Sequence, residues 1–222
     1  MTVLHLADEG EAADLAAFLS RLLHYDRGAA VRLKAAGTAL AVFGRPPSFE
    51  VLAVRAVRLA KPYEDGLDVT LDVTVSAGEL LESVDEKGAT AVVPGAVTGP
   101  PWAGVLPPRG GWRPEPGLPA PEALRSLVAA AVAEFRSRTQ ELPPQRRTRA
   151  ELDRIGRDIW SRTVGDTRLP VRAVHAAQSL GFLRPGVPPA LFSSGAWLRL
   201  RTPYGSVAVR QAGLGALDVS VR

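Results

Sequence analysis

The 222-residue chain contains no cysteine. That excludes disulfides, thiolate nucleophiles and cysteine-ligated zinc or iron–sulfur centres within it. Histidine is scarce: His5, His24 and His175 are the whole supply. None is spaced as HxH or HExxH, the patterns that bring two imidazoles to one metal. No stretch approaches the ~18 consecutive apolar residues of a membrane span. The opening "MTVLHLADEGEAADL" reaches acid early and lacks a basic n-region, so no signal peptide is expected. No P-loop and no G-x-S-x-G nucleophile elbow occurs. The expectation is a cytoplasmic protein with no cofactor, no metal and no membrane partner. Lysine is rare too, three residues against 24 arginines. With abundant Ala, Gly and Pro, this is the bias of a GC-rich coding sequence, and it lowers what any single arginine says about function.

What is present is a globular composition, 46% hydrophobic and 23% charged, with an uneven distribution of charge. Residues 1–95 hold 9 basic and 14 acidic side chains, and residues 96–222 hold 18 arginines and 9 acids. Such a split suggests a basic surface for an acidic partner. It equally suggests that the two halves dock on each other or on a second copy of the chain.

Three S/T/D-x-x-E patterns mark helix starts, because the first side chain can accept the N–H three residues on: Asp8/Glu11, Ser76/Glu79 and Thr148/Glu151. Behind Asp8, Leu15, Phe18, Leu19 and Leu22 share one helical face, with Asp14, Arg21 and His24 on the other. Strands follow in "AAVRLKAAGTALAVF" and "FEVLAVRAVRLA", then in "LDVTLDVTV" (67–75), where Val69, Leu71, Val73 and Val75 alternate with Asp68, Thr70, Asp72 and Thr74. The position of this strand just after Arg55 and Arg58 predicts Arg–Asp pairs across a hairpin. "ATAVV" (89–93) reads as a last strand of this half.

Residues 94–121 change character, with 15 of 28 positions Pro or Gly. They form a connector, and Trp102 and Trp112 within it predict that it lies anchored along the body. Pro121 opens a helix with Leu124, Leu127, Val128, Ala131, Phe135 and Leu142 as its stripe. Leu152, Ile155, Ile159 and Trp160 make a second helix amphipathic, and Pro170 opens a third. The stretch "AWLRLRTPYGSVAVRQAG" (196–213) then reads as a hairpin turning at Thr202-Pro203-Tyr204-Gly205. Leu198, Leu200, Val207 and Val209 should face the core, and Arg199, Arg201 and Arg210 the opposite side. "ALDVSV" (216–221) reads as a closing strand. The fold class expected is α+β: an N-terminal helix packed on an antiparallel sheet (1–95), a Pro/Gly-rich connector (96–120), and a three-helix segment with a C-terminal β-meander (121–222). "AVRLKAAGTALAV" (30–42) and "WLRLRTPYGSVAV" (197–209) align without gaps. This is a recurring hairpin pattern and not a duplication, and it permits both ends of the chain to share one sheet.

Catalytic constellations are weak. His5 reads as a strand residue, His24 as solvated and His175 as a core or interface histidine. The adjacent acids Asp8/Glu9, Glu64/Asp65 and Asp85/Glu86 fall at element ends, where acids cap and solubilise. "GLGALD" (213–218) is a fragment of a dinucleotide fingerprint that opens no helix, and "RGG" (109–111) is a turn or an anion nest. The favoured function is a non-enzymatic binding or assembly protein, self-associating or docking an acidic partner. The order of three helices and a hairpin in 121–210 also permits a winged-helix-like module on a phosphate backbone. The residues that would carry either role are Arg146, Arg147, Arg149, Arg172, Arg199, Arg201 and Arg210. Against a basic groove, the helix spacing predicts local pairs Asp153–Arg157, Arg154–Asp158 and Asp158–Arg162. An enzyme without a local motif would need a pocket holding His5 or His175 beside a carboxylate.

Overall fold

The computed structural model describes residues 2–60 and 71–211. Its helices are α1 (Glu9–Tyr25), α2 (Ala77–Glu82), α3 (Pro121–Glu141), α4 (Arg149–Trp160) and α5 (Val171–Ser179). Asp8, Ser76 and Thr148 cap α1, α2 and α4, each accepting the N–H of the glutamate three residues on. Each cap satisfies one of the donors that a helix start leaves open. The apolar stripes are buried as their spacing requires: Leu15, Phe18, Leu19 and Leu22 in α1, Leu124, Val128 and Ala131 in α3, Ile155 and Ile159 in α4.

The strands are β1 (Val3–His5), β2 (Ala30–Ala36), β3 (Ala39–Gly44), β4 (Leu52–Arg58), β5 (Asp72–Ser76), β6 (Thr90–Val92), β7 (Arg113–Glu115), β8 (Ala190–Ser194), β9 (Trp197–Thr202) and β10 (Gly205–Arg210). β1 and β6 pair in a small sheet of their own. The other eight form one antiparallel sheet in the order β5-β2-β3-β4-β10-β9-β8-β7. The protein is therefore α+β, and strands from both halves of the chain share one sheet. The seam is short: Ser206, Val207 and Ala208 of β10 pair with Val54, Ala53 and Leu52 of β4.

The topology repeats an order. α1 precedes the meander β2-β3-β4 and packs on β4, and α5 precedes the meander β8-β9-β10 and packs on β10. The two meanders meet through their last strands. In this arrangement β9 corresponds to β3, whereas the likeness between residues 30–42 and 197–209 lays β9 on β2. The sequence echo is thus out of step with the topological one, as expected of two hairpins that are alike only in pattern.

Strand parity sorts the sheet into two faces. Val31, Leu33, Leu40, Val42, Ala53, Val57, Leu198, Leu200, Val207 and Val209 point into the helical side and are buried. α1 and α5 lie on this side, with α3 and α4 packed over α5. Phe18 of α1 stacks on Phe182 at 5.7 Å between ring centres. Gly205, at the tip of the β9–β10 turn, has φ of 153°, and a Cβ there would sit 2.4 Å from the Phe182 ring, so both backbone and packing demand glycine.

Two expectations are corrected. β5 forms no hairpin with β4; it pairs with β2 at the far edge. Asp72 accordingly binds Arg32 at 2.8 Å and Lys34 at 2.6 Å. Arg55 and Arg58 turn instead to the acids of α1. In α4 only Asp158–Arg162 forms of the three helix pairs; Arg149 takes Asp153 and Arg154 takes Glu151. Residues 67–70 and 213–221, and with them Asp68, Val69, Thr70, "GLGALD" and "ALDVSV", lie outside the described residues.

The Pro/Gly-rich connector crosses the outer face of the sheet as a strap. It starts beside β5, where Val97 N–H donates to Thr74 O at 2.9 Å. Arg32 holds it by donating to Ala103 O. At the far end Trp112 lies under the Arg199 guanidinium, 5.6 Å from its ring centre, and β7 pairs with β8. Trp112 thus anchors the connector as expected, while near Trp102 the hold is Arg32 on Ala103 O.

Candidate functional site

On the helical side the buried arginine and the arginines between α3 and α4 are paired with acids. Arg55 is 5% exposed and its guanidinium binds Glu11 at 3.0 Å, Asp14 at 3.2 Å and Tyr204 O at 2.9 Å. Burial of that charge requires this pairing, because an ion taken out of water is costly unless partnered. Arg184, which stacks on Tyr204, binds the same Asp14 at 3.0 Å. Asp14 therefore ties the acidic half to the basic half. Between α3 and α4, Glu134 takes Arg162 at 2.6 Å, and Asp158 binds both Arg138 and Arg162. The arginine hydrogen bonds hold both carboxyls below their ordinary range.

The seven candidate arginines fall into three groups. Arg147 donates to Leu142 O and Gln140 O and closes the end of α3. Its neighbours Arg146 and Arg149 face Glu151 at 3.6 Å and Asp153 at 3.9 Å. Arg172 on α5 is half-buried and reaches Glu50 at 3.9 Å. Arg199, Arg201 and Arg210 share the outer face of the sheet, opposite the helices, as their alternation predicted. The hairpin that carries them is not a free wing: β8 flanks it on one side and β4 on the other. It does not stand on the same side of the molecule as α5 and the Arg146–Arg149 loop.

In the third group no member has a counter-ion: among the described residues, Arg199, Arg201 and Arg210 form no ion pair. Arg199 donates to Ser206 Oγ at 2.9 Å. Burial, and then the neighbouring charge of Arg201, lower its pKa from the ordinary guanidinium value. The contrast within this face is sharp, since at its other end Asp72 compensates Arg32 and Lys34. On Asp72 the bond from Arg32 is the main cause of a pKa brought down to about 2.

Beside these arginines lies a cleft of about 350 Å³, lined by Arg45, Leu52, Trp102, Trp197, Ala208 and Arg210 together with Glu50, Val51, Pro101 and Val105. Sequence reasoning did not find it. Trp102 carried a signal, as an aromatic ring in a Pro/Gly-rich segment. Arg45, Glu50 and Trp197 carried none, because they meet Trp102 only once the strap has crossed the seam between the halves.

Among the described residues no histidine is paired with a carboxylate. His5 and His24 are exposed. His175 stacks on Trp160 at 4.6 Å and meets Phe49 edge-on at 5.0 Å, and burial lowers its pKa. Among the described residues it has no ion pair with a carboxylate. Asp8 caps α1, and Asp85 accepts from Gly88 N–H in a turn. Glu64 and Asp65 lie outside the described residues. In the 109–111 turn, Gly110 O accepts from Ser194 Oγ. Among the described residues, no helix is long and apolar enough to cross a membrane.

Comparison with known families divides the chain where the strap divides it. Residues 1–104 match a family model described as a domain of unknown function, DUF8010, and residues 107–214 match a second, DUF8185. The two matches meet inside the strap, so each covers one of the two α–β–β–β orders. No curated protein matches the chain.

Proposed function

We propose that this is a non-enzymatic binding protein that holds an acidic partner on the outer face of its sheet, at Arg199 and Arg201. The supporting observation is the uncompensated pair itself. Arg199 is half-buried beside a like charge, an arrangement that costs free energy in the free protein and is relieved by an incoming anion. The same chain carries the complement. Glu79, Glu82, Asp85 and Glu86, on α2 and the turn that follows, are exposed and form no ion pair among the described residues. Basic and acidic surfaces on one chain support head-to-tail self-association as readily as capture of another acidic protein. A cytoplasmic location belongs to the same reading.

Sedimentation at low and high salt, with binding of poly-L-glutamate as a second readout, tests the proposal. Salt-sensitive association that Arg201→Glu abolishes, and that an added Glu82→Arg/Asp85→Arg chain restores, is the expected result for self-association. Salt-sensitive poly-L-glutamate binding that Arg201→Glu abolishes is the expected result for a separate acidic partner. A monomer at both salts that also ignores poly-L-glutamate overturns it.

A further inference from the structure

We infer that the cleft between the strap and the seam of the sheet is a nucleotide site, distinct from the Arg199–Arg201 surface. Its floor is Leu52 and Ala208, register partners across the β4–β10 seam and both buried. Small Ala208 keeps the sheet low here, so the floor is flat and apolar. One indole, Trp102, comes from the strap, and the other, Trp197, from β9. Neither stacks on another ring among the described residues, so both keep π-faces for a ligand. At the rim stand Arg45 and Arg210, neither with an ion partner among the described residues. The volume of about 350 Å³ is in the range of small-molecule sites.

Glu50 supplies an independent sign. It has φ of 51° and ψ of 38°, the left-handed region that glycine or asparagine normally occupies. Strain of this kind persists where a side chain is wanted in one place. The Glu50 side chain is 73% exposed, and its one ion contact is the long one to Arg172. It borders the cleft, and its carboxylate accepts no hydrogen bond among the described residues.

The ligand class follows from these parts together. Two indoles over an apolar floor suit a flat ring. A carboxylate beside it suits a ring that bears N–H donors. Two guanidiniums suit a phosphate, with which arginine makes bidentate contacts. An uncharged aromatic would leave Arg45 and Arg210 unused, and a bare anion would leave the tryptophans unused. A heteroaromatic base carrying phosphate uses all of them. Such a group arrives either as a free mononucleotide or as one unit of a single strand, whose next phosphates would run on toward Arg199.

Tryptophan fluorescence and calorimetry on the full chain, titrated with adenosine monophosphate, uridine monophosphate and a short single-stranded oligonucleotide, test this directly. Quenching by a mononucleotide is expected, with adenosine and a base-free sugar phosphate each weaker by about tenfold or more. Trp197→Ala should weaken binding by a similar factor, and Trp102→Ala, on the strap, serves if the first variant does not fold. Arg45→Gln should weaken binding severalfold, while Arg201→Gln should leave mononucleotide affinity unchanged. Binding of the oligonucleotide alone assigns the base to a strand and supports the site. No saturable binding of any of the three at millimolar concentration overturns it, and so does a sugar phosphate that binds as well as the nucleotide. Because Arg201 and poly-L-glutamate report on the other surface, either proposal can fail without the other.

Discussion

The helical side of the sheet and its outer face treat the same residue type in opposite ways. On the helical side Arg55 lies buried among Glu11, Asp14 and a turn carbonyl, and the charge serves to join α1, β4 and the β9–β10 turn. On the outer face Arg199 and Arg201 stand side by side without an acid among the described residues. Both sets come from strands with alternating aliphatic and basic residues, so composition does not distinguish them. The distinction comes from what packs above each face. A helix with Asp8, Glu11 and Asp14 on one side covers Arg55, whereas a strap rich in proline and glycine, with no acid between residues 94 and 112, crosses the face that holds Arg199. An arginine under an acidic helix is structural; under the neutral strap Arg32 is paired only because β5 brings Asp72 to it, and Arg199 and Arg201 are left for something else.

This contrast can be broken experimentally. Glu11→Ala should destabilise the protein by about 3 kcal/mol in urea unfolding, since it takes from a buried guanidinium the nearer of its two acids and leaves it only the half-exposed Asp14. A loss under 1 kcal/mol, roughly the worth of a surface pair, would show that the helical side is no different from the outer face. Arg201→Gln, at the exposed member of the pair, should change stability by only about 0.5 kcal/mol in either direction, yet abolish salt-sensitive poly-L-glutamate binding. A large stability loss would mean that this pair, too, is structural.

Two pH effects sharpen the comparison further. The folded-state pKa of His175 is depressed by burial against Trp160 and Phe49. The unfolded chain then binds the proton more readily, so stability is full above the ordinary imidazole value of about 6.5 and falls as pH drops below it. Urea midpoints of His175→Phe should lose this slope between neutral and mildly acid pH. Asp72, brought to about 2 by Arg32 and Lys34, contributes stability above the ordinary carboxylate value of about 4 that is lost as pH falls through about 2. Asp72 is partly exposed, so its share is the smallest, and Asp72→Asn should remove only a small part of the acid sensitivity measured by circular dichroism.

Local features were legible in the sequence because their causes are local. The three capping pairs, the stripe of α1, the β9–β10 hairpin and the side on which Arg199, Arg201 and Arg210 fall each depend on residues a few positions apart. Trp112 in the connector foretold its anchoring, though not its path. Pairing was legible only within hairpins. Asp72 lies closer in sequence to Arg58 than to Arg32, yet it binds Arg32 because β5 takes the far edge of the sheet. β8 was not legible, because a short half-apolar run beside a Pro-rich stretch says little until β9 offers it an edge. The cleft was invisible for the same reason: Arg45, Trp102 and Trp197 come from three distant segments.

The sequence by itself determined the absence of thiol chemistry, the helix starts, the alternation of the strands and the two charge populations. All of these follow from residue identity and from periods of 2 and 3.6. Only the tertiary structure decided that the two halves share one sheet, that α1 neutralises Arg55 while the strap leaves Arg199 and Arg201 uncompensated, and that two indoles face one cleft. Antiparallel edges are interchangeable in their hydrogen bonding, so which edges meet is settled by the packing of the whole chain and not by any segment of it.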